Sequence, residues 1–380
     1  MKNKFYAKFI AVLFFSMFFT CAYCIDSVRK DIKVGIIINA DSFTAANTKD
    51  FFITDSTGKN LKLTKGNVKL SFDGKNLTAG KYSLSLPVRI DSKNGLIFAD
   101  KKAYRGYLTV NKSGNKINVI NILPVDDYLK GVLPKEAPTS WKIETLKAQA
   151  VISRTYLLAN LNKHSAQGFD LCSTTHCQVY GGAEGETVPS NTAVVKTKNE
   201  VLTFDGKLAN TFFHANCAGH TEDPKYVWGL STTPAYLLGV KCGYCSGTPH
   251  SNWESSIDES FIIKKLETAG HKVGAIQSIK IKDKTKAGMA KEIEIKHSKG
   301  TLVMNANKFR LAVDAWQVKS VTLESIKKQG NKFVFKGSGW GHKVGLCQWG
   351  AKGMGDAGKT YKQILAHYYP KTKLEKVVYK

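Results

Sequence analysis

A chain of 380 residues with 43% apolar content can build a large core, which excludes a disordered protein and fits two domains or one domain with sizeable insertions. Its formal charge of +26 is almost wholly a lysine surplus, since arginine occurs only at Arg29, Arg89, Arg105, Arg154 and Arg310. No zinc finger, basic zipper or stacking motif accompanies the charge, so nucleic acid is not an expected partner; a solvated lysine surface or attraction to anionic cell wall and membrane surfaces is.

The N-terminus sets Lys2, Lys4 and Lys8 before an apolar run from Phe9 to Phe19 and the small or cysteine residues Cys21, Ala22 and Cys24. That order predicts an export signal over residues 1–24 and a protein delivered to the periplasm or cell wall. The run is shorter than the roughly 20 residues of a membrane span, and no leucine-rich lipobox precedes Cys21 or Cys24. Cleavage removes three lysines and no acid, taking +26 to +23.

From residue 25 to 120 the chain predicts a β-rich region, with short alternating runs such as Val68-Lys-Leu-Ser-Phe72 and Gly106-Tyr-Leu-Thr-Val110 broken by Asp73-Gly74 and Ser113-Gly114. A second domain over 121–380 follows. Its most regular segment predicts a long central helix from Ile143 to about Asn162, free of glycine and proline. Strands and glycine-rich loops are expected over 200–255, a short helix over 256–267, strands over 276–335, a glycine-rich loop over 337–345 and two short helices at the end. The fold class expected is therefore α+β, with the β-rich region packed on the mixed domain and no repeat or low-complexity linker between them.

Glu136 stands out chemically. Val132, Leu133, Pro134, Ala137, Pro138 and Trp141 surround it in sequence and predict an acid in a stiff, proline-flanked loop directly before the long helix. Apolar surroundings raise a carboxyl pKa, as a general acid requires. The competing reading is a glutamate that only favours a helix N-terminus. Arg154 has Ala150, Val151, Leu157 and Leu158 three and four residues away, which places a guanidinium on an apolar helix face. A buried arginine needs a partner; pairing with Glu136 would lower that pKa, so Arg154 reads as a scaffold or substrate-binding residue. Asp126 and Asp127 read as helix-start residues.

Together, Leu123-Pro-Val-Asp-Asp-Tyr-Leu-Lys-Gly-Val132, Lys135-Glu-Ala-Pro138, Leu146-Lys-Ala-Gln-Ala-Val151 and Arg154-Thr-Tyr156 resemble the SpoIID/LytB family of cell-wall proteins. The likeness continues through Gln178-Val-Tyr-Gly-Gly182, Gly219-His-Thr-Glu222, Val227-Trp-Gly229 and Gly339-Trp-Gly-His-Lys-Val-Gly-Leu-Cys-Gln-Trp-Gly-Ala351, covering roughly 100 to 370. The resemblance implies a peptidoglycan lytic transglycosylase that cleaves the β-1,4 bond between N-acetylmuramic acid and N-acetylglucosamine and leaves a 1,6-anhydro end. Its catalytic glutamate falls on Glu136 and its helix arginine on Arg154. The chain departs from the family at Ala137, often methionine, and at Lys343, usually glycine, which could alter the cleft wall.

One carboxyl suffices for such chemistry, because the sugar's own 6-hydroxyl can attack while a single group acts as acid and then base; a hydrolase generally needs two. Within the same motifs, Gln149, Tyr156 and Gln348 are candidate substrate-binding residues. His220 and His342 lie in glycine-rich stretches where backbone approaches ligand closely, and either bind sugar hydroxyls or satisfy loop carbonyls. Tyr180, Trp228 and Trp340 are candidate sugar-stacking faces or core side chains.

Past the leader, Cys172, Cys177, Cys217, Cys242, Cys245 and Cys347 make an even count that in an exported chain suggests disulfides. Cys172-x4-Cys177 and Cys242-x2-Cys245, near His164, His176 and His250, also follow zinc spacing. The resemblance implies zinc held beside the cleft by one histidine and two cysteines; His164, Cys172 and Cys177 keep that order, with His176 a rival ligand despite the poor geometry of adjacent residues. Such zinc would be structural, and catalysis needs no cofactor. The expected partner is the glycan strand, with stem peptides already removed. The rival readings are a non-catalytic enhancer of a wall amidase, and a β region that docks the protein into a larger complex.

Overall fold

The computed structural model describes residues 28–93 and 95–380, so the expected leader lies outside the described residues. Alternating side chains decide the first third of the chain. In Ser42–Asn47, for instance, Phe43, Ala45 and Asn47 turn inward while their neighbours stay half-exposed. A seven-stranded sheet runs in the order Leu171–Cys172, Asp31–Ala40, Lys116–Pro124, Tyr107–Ser113, Val88–Ser92, Phe51–Thr54, Asn60–Leu63. A six-stranded sheet runs Lys102–Arg105, Leu96–Ala99, Ser42–Asn47, Gly66–Phe72, Leu77–Ala79, Tyr82–Leu84. Ile53, Ile90 and Val110 of the first share one core with Phe43, Leu70 and Leu77 of the second. The edge strand Leu171–Cys172 comes from beyond residue 120 and pairs parallel with Asp31–Ala40, Val34 opposite Leu171.

The structure is mixed α and β, consistent with the α+β class, and the described residues hold eight α-helices. They are α1 Val125–Glu136, α2 Ile143–Ala159, α3 Val188–Lys196, α4 Pro224–Trp228, α5 Glu259–Thr268, α6 Ala306–Val313, α7 Gln348–Asp356 and α8 Tyr361–Tyr368. The proline-flanked loop expected around Glu136 is in fact helix. Tyr128, Leu129, Val132 and Leu133 recur at helical spacing on a buried stripe of α1. Pro134 sits inside this helix, where its missing N–H removes one bond to the Lys130 carbonyl, and the chain leaves the helix at Ala137, whose N–H still reaches the Leu133 carbonyl.

Helix α2 lies between two cores. Leu146, Ala150, Leu157 and Leu158 join the β-rich region, while Ala148, Val151 and Ile152 join the core of the C-terminal half. That position explains why it is apolar on nearly every side. The C-terminal half adds the three-stranded sheets Trp253–Asp258, Lys332–Ser338, Thr322–Gln329 and Ile276–Lys284, Ala290–His297, Gly300–Asn305. The parallel pair Phe213–His214 and Leu346–Cys347 brings the glycine-rich 337–345 segment and α7 to the end of α1.

Candidate active site

Glu136 ends α1 where apolar side chains exclude water from one side of its carboxyl. Burial raises its pKa, offset only in part by the Val179 N–H, which donates to Oε1 at 3.0 Å. The amide is aimed by its neighbour: Gln178 is buried, donates to the Ser153 carbonyl at 3.4 Å and accepts from the Tyr128 hydroxyl at 3.3 Å. Gly131 must be glycine, because a Cβ there would run into the Gly182 carbonyl and the Tyr180 ring.

The other end of the residue is held from α7. Gln348 Nε2 donates to the Glu136 carbonyl at 2.8 Å and contacts Gln149 Oε1 at 3.3 Å; Gln149 Nε2 donates to Ser153 Oγ at 3.3 Å. Both glutamines are buried. Gln149 and Gln348, candidates for substrate contact, are here a relay that ties α2 and α7 to the backbone of the acid.

The carboxyl opens on a cleft of about 290 Å³ lined by Glu136, Tyr156, Thr175, His176, Cys177, Val179, Phe212, Phe213 and His342. Among these lining residues Glu136 is the only carboxylate, and no ion pair to it occurs among the described residues. Burial pushes the Tyr156 phenol up to about 12, with the Cys177, Cys172 and Glu136 charges adding to it, so it faces the cleft as a neutral donor. His342 is pulled down to about 4 by burial and then by the Arg310 charge. Its Nδ1 accepts from the Val344 N–H at 3.1 Å, which leaves the proton of the neutral ring on Nε2, where the Phe213 backbone takes it up. Phe212 and Phe213 are lining residues that sequence reading missed; no local signal distinguishes them from core phenylalanines.

Beside the cleft, the ligand atoms of His164, Cys172, His176 and Cys177 all lie within 4.8 Å of one another. Cys177 Sγ is 3.4 Å from His164 Nε2 and 3.6 Å from His176 Nδ1, and Cys172 Sγ is 3.7 Å from His176 Nδ1. Tetrahedral zinc with its usual bond lengths spaces sulfur and imidazole nitrogen by about 3.6 Å, so this donor set fits. His164 Nδ1 meets Gln167 Oε1 at 2.8 Å, which fixes the ring with Nε2 toward the cysteines. His176 therefore belongs with the three expected residues; the turn closed by Cys177 N–H to the Thr174 carbonyl folds it back onto its neighbour.

Other candidates fall elsewhere. Arg154 is 0% exposed and spends its guanidinium on protein: the Thr197, Val194 and Glu200 carbonyls at 2.8, 3.2 and 3.4 Å and Asp126 Oδ1 at 3.0 Å. It has no surface to offer a sugar, so substrate contact is corrected to scaffold, and Asp126 is its partner. Tyr180 is likewise a core residue, its hydroxyl donating to Asn121 Oδ1 at 2.8 Å and its ring 5.0 Å from that of Tyr128. Trp228 sits behind the wall, 4.7 Å from the Phe212 ring and 5.3 Å from that of His342. His220 is not a lining residue and places Nδ1 against the Thr221 carbonyl. Trp340 packs edge-on against His250 and Trp316. Lys343 does not alter the cleft: it is 0% exposed, with a left-handed φ of 68°, and donates to Thr322 Oγ1 at 2.7 Å.

Residues 113–204 match the family model for SpoIID, described as Stage II sporulation protein. Residues 246–345 match DUF8618, a domain of unknown function. The chain is 36% identical over 287 residues to an uncharacterized protein of Brachyspira hyodysenteriae, covering 73% of this chain and 75% of that one. It is 30% identical over 374 residues to the amidase enhancer of Bacillus subtilis, covering 86% of this chain and 51% of that protein, so it spans about half that relative's length. To the stage II sporulation protein D of Bacillus subtilis it is 27% identical over 285 residues, 70% of this chain and 77% of that one.

Proposed function

The chain belongs to the SpoIID family, and from that premise we propose that it is an exported lytic transglycosylase acting on peptidoglycan glycan strands, with Glu136 as its single acid and base. The observation that carries this reading is the state of Glu136: a carboxyl with raised pKa, no cationic partner among the described residues, and no second carboxylate among the cleft's lining residues. Protonated Glu136 donates to the glycosidic oxygen as the bond from C1 of N-acetylmuramic acid breaks. The same carboxylate then takes the proton of that sugar's 6-hydroxyl as its oxygen bonds C1, closing the 1,6-anhydro ring and restoring the acid. The Val179 N–H steadies the carboxylate between the two transfers. Tyr156 supplies a donor to the sugar, and Phe212 and Phe213 an apolar floor.

His164, Cys172, His176 and Cys177 would hold a structural zinc ion that cross-links the loop carrying Thr175 and His176. Strands stripped of stem peptides are the substrate this reading expects. Incubation of such strands with the protein, followed by mass spectrometry, yields new 1,6-anhydro ends; Glu136→Gln yields none. Equal ends from both proteins, or none from the wild type, sink the reading. A wall-binding enhancer of a partner amidase is the second reading, supported by the name of the Bacillus relative. It is separated by the same assay run with and without an amidase, where an enhancer changes peptide release alone.

A further inference from the structure

Four cysteines lie outside the cleft, and the reaction proposed above uses none of them. Cys217, Cys242, Cys245 and Cys347 are buried free thiols whose sulfurs all lie within 4.8 Å of one another. Cys217 and Cys245 bring their sulfurs to 3.6 Å. A tetrahedral zinc thiolate with Zn–S near 2.3 Å has sulfur–sulfur edges of about 3.8 Å, whereas a disulfide holds its sulfurs at about 2.05 Å. Three backbone N–H groups point at the cluster: Cys217 and Gly350 donate to Cys347 Sγ and Gly219 to Cys245 Sγ, each at 3.3 Å. The Tyr368 hydroxyl lies 3.1 Å from Cys242 Sγ. Amide and hydroxyl donors aimed at sulfur are what thiolate ligands require to spread their charge, and neutral buried thiols need no such set.

We propose that Cys217, Cys242, Cys245 and Cys347 bind one zinc ion as a closed, structural tetrathiolate site, separate from the cluster beside the cleft. Four ligands leave no open position, so the ion fastens chain and performs no reaction. It joins segments far apart in the chain. Cys217 and Cys347 stand 130 residues apart, and the Cys242-x2-Cys245 knuckle belongs to a loop of glycine and small polar residues. A solvent-open hollow of about 390 Å³ beside Gly219, Cys242 and Cys245 gives the ion a way in. Cys347 also caps α7, whose first residue Gln348 holds the Glu136 carbonyl, so the ion fixes the support of the acid.

The test is metal content, read without any glycan, so its failure and that of the catalytic reading are separate results. In full-length protein carrying His164→Ala, Cys172→Ala and Cys177→Ala, elemental analysis finds one zinc per chain, and adding Cys242→Ser and Cys245→Ser removes it. Cobalt exchanged into the first of these proteins gives the intense thiolate-to-cobalt absorption of a four-sulfur site. That spectrum decides the matter alone where the serine variants do not fold. The proposal is overturned by zinc content that survives Cys242→Ser and Cys245→Ser in folded protein, by iron in place of zinc, by absence of a cobalt thiolate spectrum, or by an unreduced intact mass four hydrogens short, which marks two disulfides.

Discussion

Arg154→Ala should destabilise the protein severely while leaving the cleft chemistry untouched in whatever fraction stays folded. The guanidinium satisfies Thr197 O, Glu200 O, Val194 O and Asp126 Oδ1 from a position with no solvent access. Val194 O keeps a second partner in Thr197 Oγ1, so the main losses are the Thr197 carbonyl and the Asp126 charge, together with the void left by the side chain. Breaking a buried pair of this kind costs about 3–5 kcal/mol, a large part of the roughly 5–15 kcal/mol that holds a typical domain together. Arg154→Lys keeps the charge but not the planar fork, and about half that loss is expected. Combining Arg154→Ala with Asp126→Asn should cost about 1–3 kcal/mol less than the sum of the two single changes. Urea titration followed by fluorescence and circular dichroism reads the midpoints. An Arg154→Ala protein that unfolds at the wild-type urea concentration but needs far more glycan to half-saturate would refute the scaffold argument and restore Arg154 to substrate binding.

Gln348→Ala removes the donor to the Glu136 carbonyl and should lower kcat about ten- to a hundred-fold with KM nearly unchanged, since it positions the acid and touches no sugar. Steady-state rates on purified strands check this, and a rise in KM alone contradicts it. Because the folded pKa of Glu136 is raised, ionising it opposes folding: the cost is absent below its unfolded pKa and grows as pH rises through the folded value. Glu136→Gln should therefore be more stable than wild type at neutral pH and equal to it in acid, and a urea series across pH that shows parallel curves argues otherwise. For His342 the sign is reversed: with a folded pKa near 4 against 6.5 unfolded, its contribution is whole above 6.5 and lost as pH falls toward 4. The acid loss of stability over that window should shrink in His342→Asn.

How much of this was legible in one dimension can be judged residue by residue. The strands of the first third follow from alternation, and α2 from an unbroken apolar run, because both periods are set by the local backbone. The apolar setting of Glu136 is legible from its sequence neighbours. Its backbone conformation is not, since Pro134 and Pro138 suggest a loop where the buried stripe of Tyr128, Leu129, Val132 and Leu133 keeps α1 helical to its last turn.

What the sequence determined by itself, then, is which stretches are strand or helix and which acid is set among apolar groups, since these depend on neighbours a few residues away. Tertiary structure alone decided the partners. Arg154 turns to Asp126 rather than Glu136 because α1 and α2 pack with those faces together, and His176 joins His164, Cys172 and Cys177 because a turn folds it back. Cys217 meets Cys347 because two short strands far apart in the chain pair in parallel, Phe213 beside Leu346 and His214 beside Cys347, and the Cys242 N–H brings its own loop in by donating to the Gly219 carbonyl. Such meetings are fixed by how cores close over long stretches of chain, and spacing along a sequence carries no distance between residues that far apart.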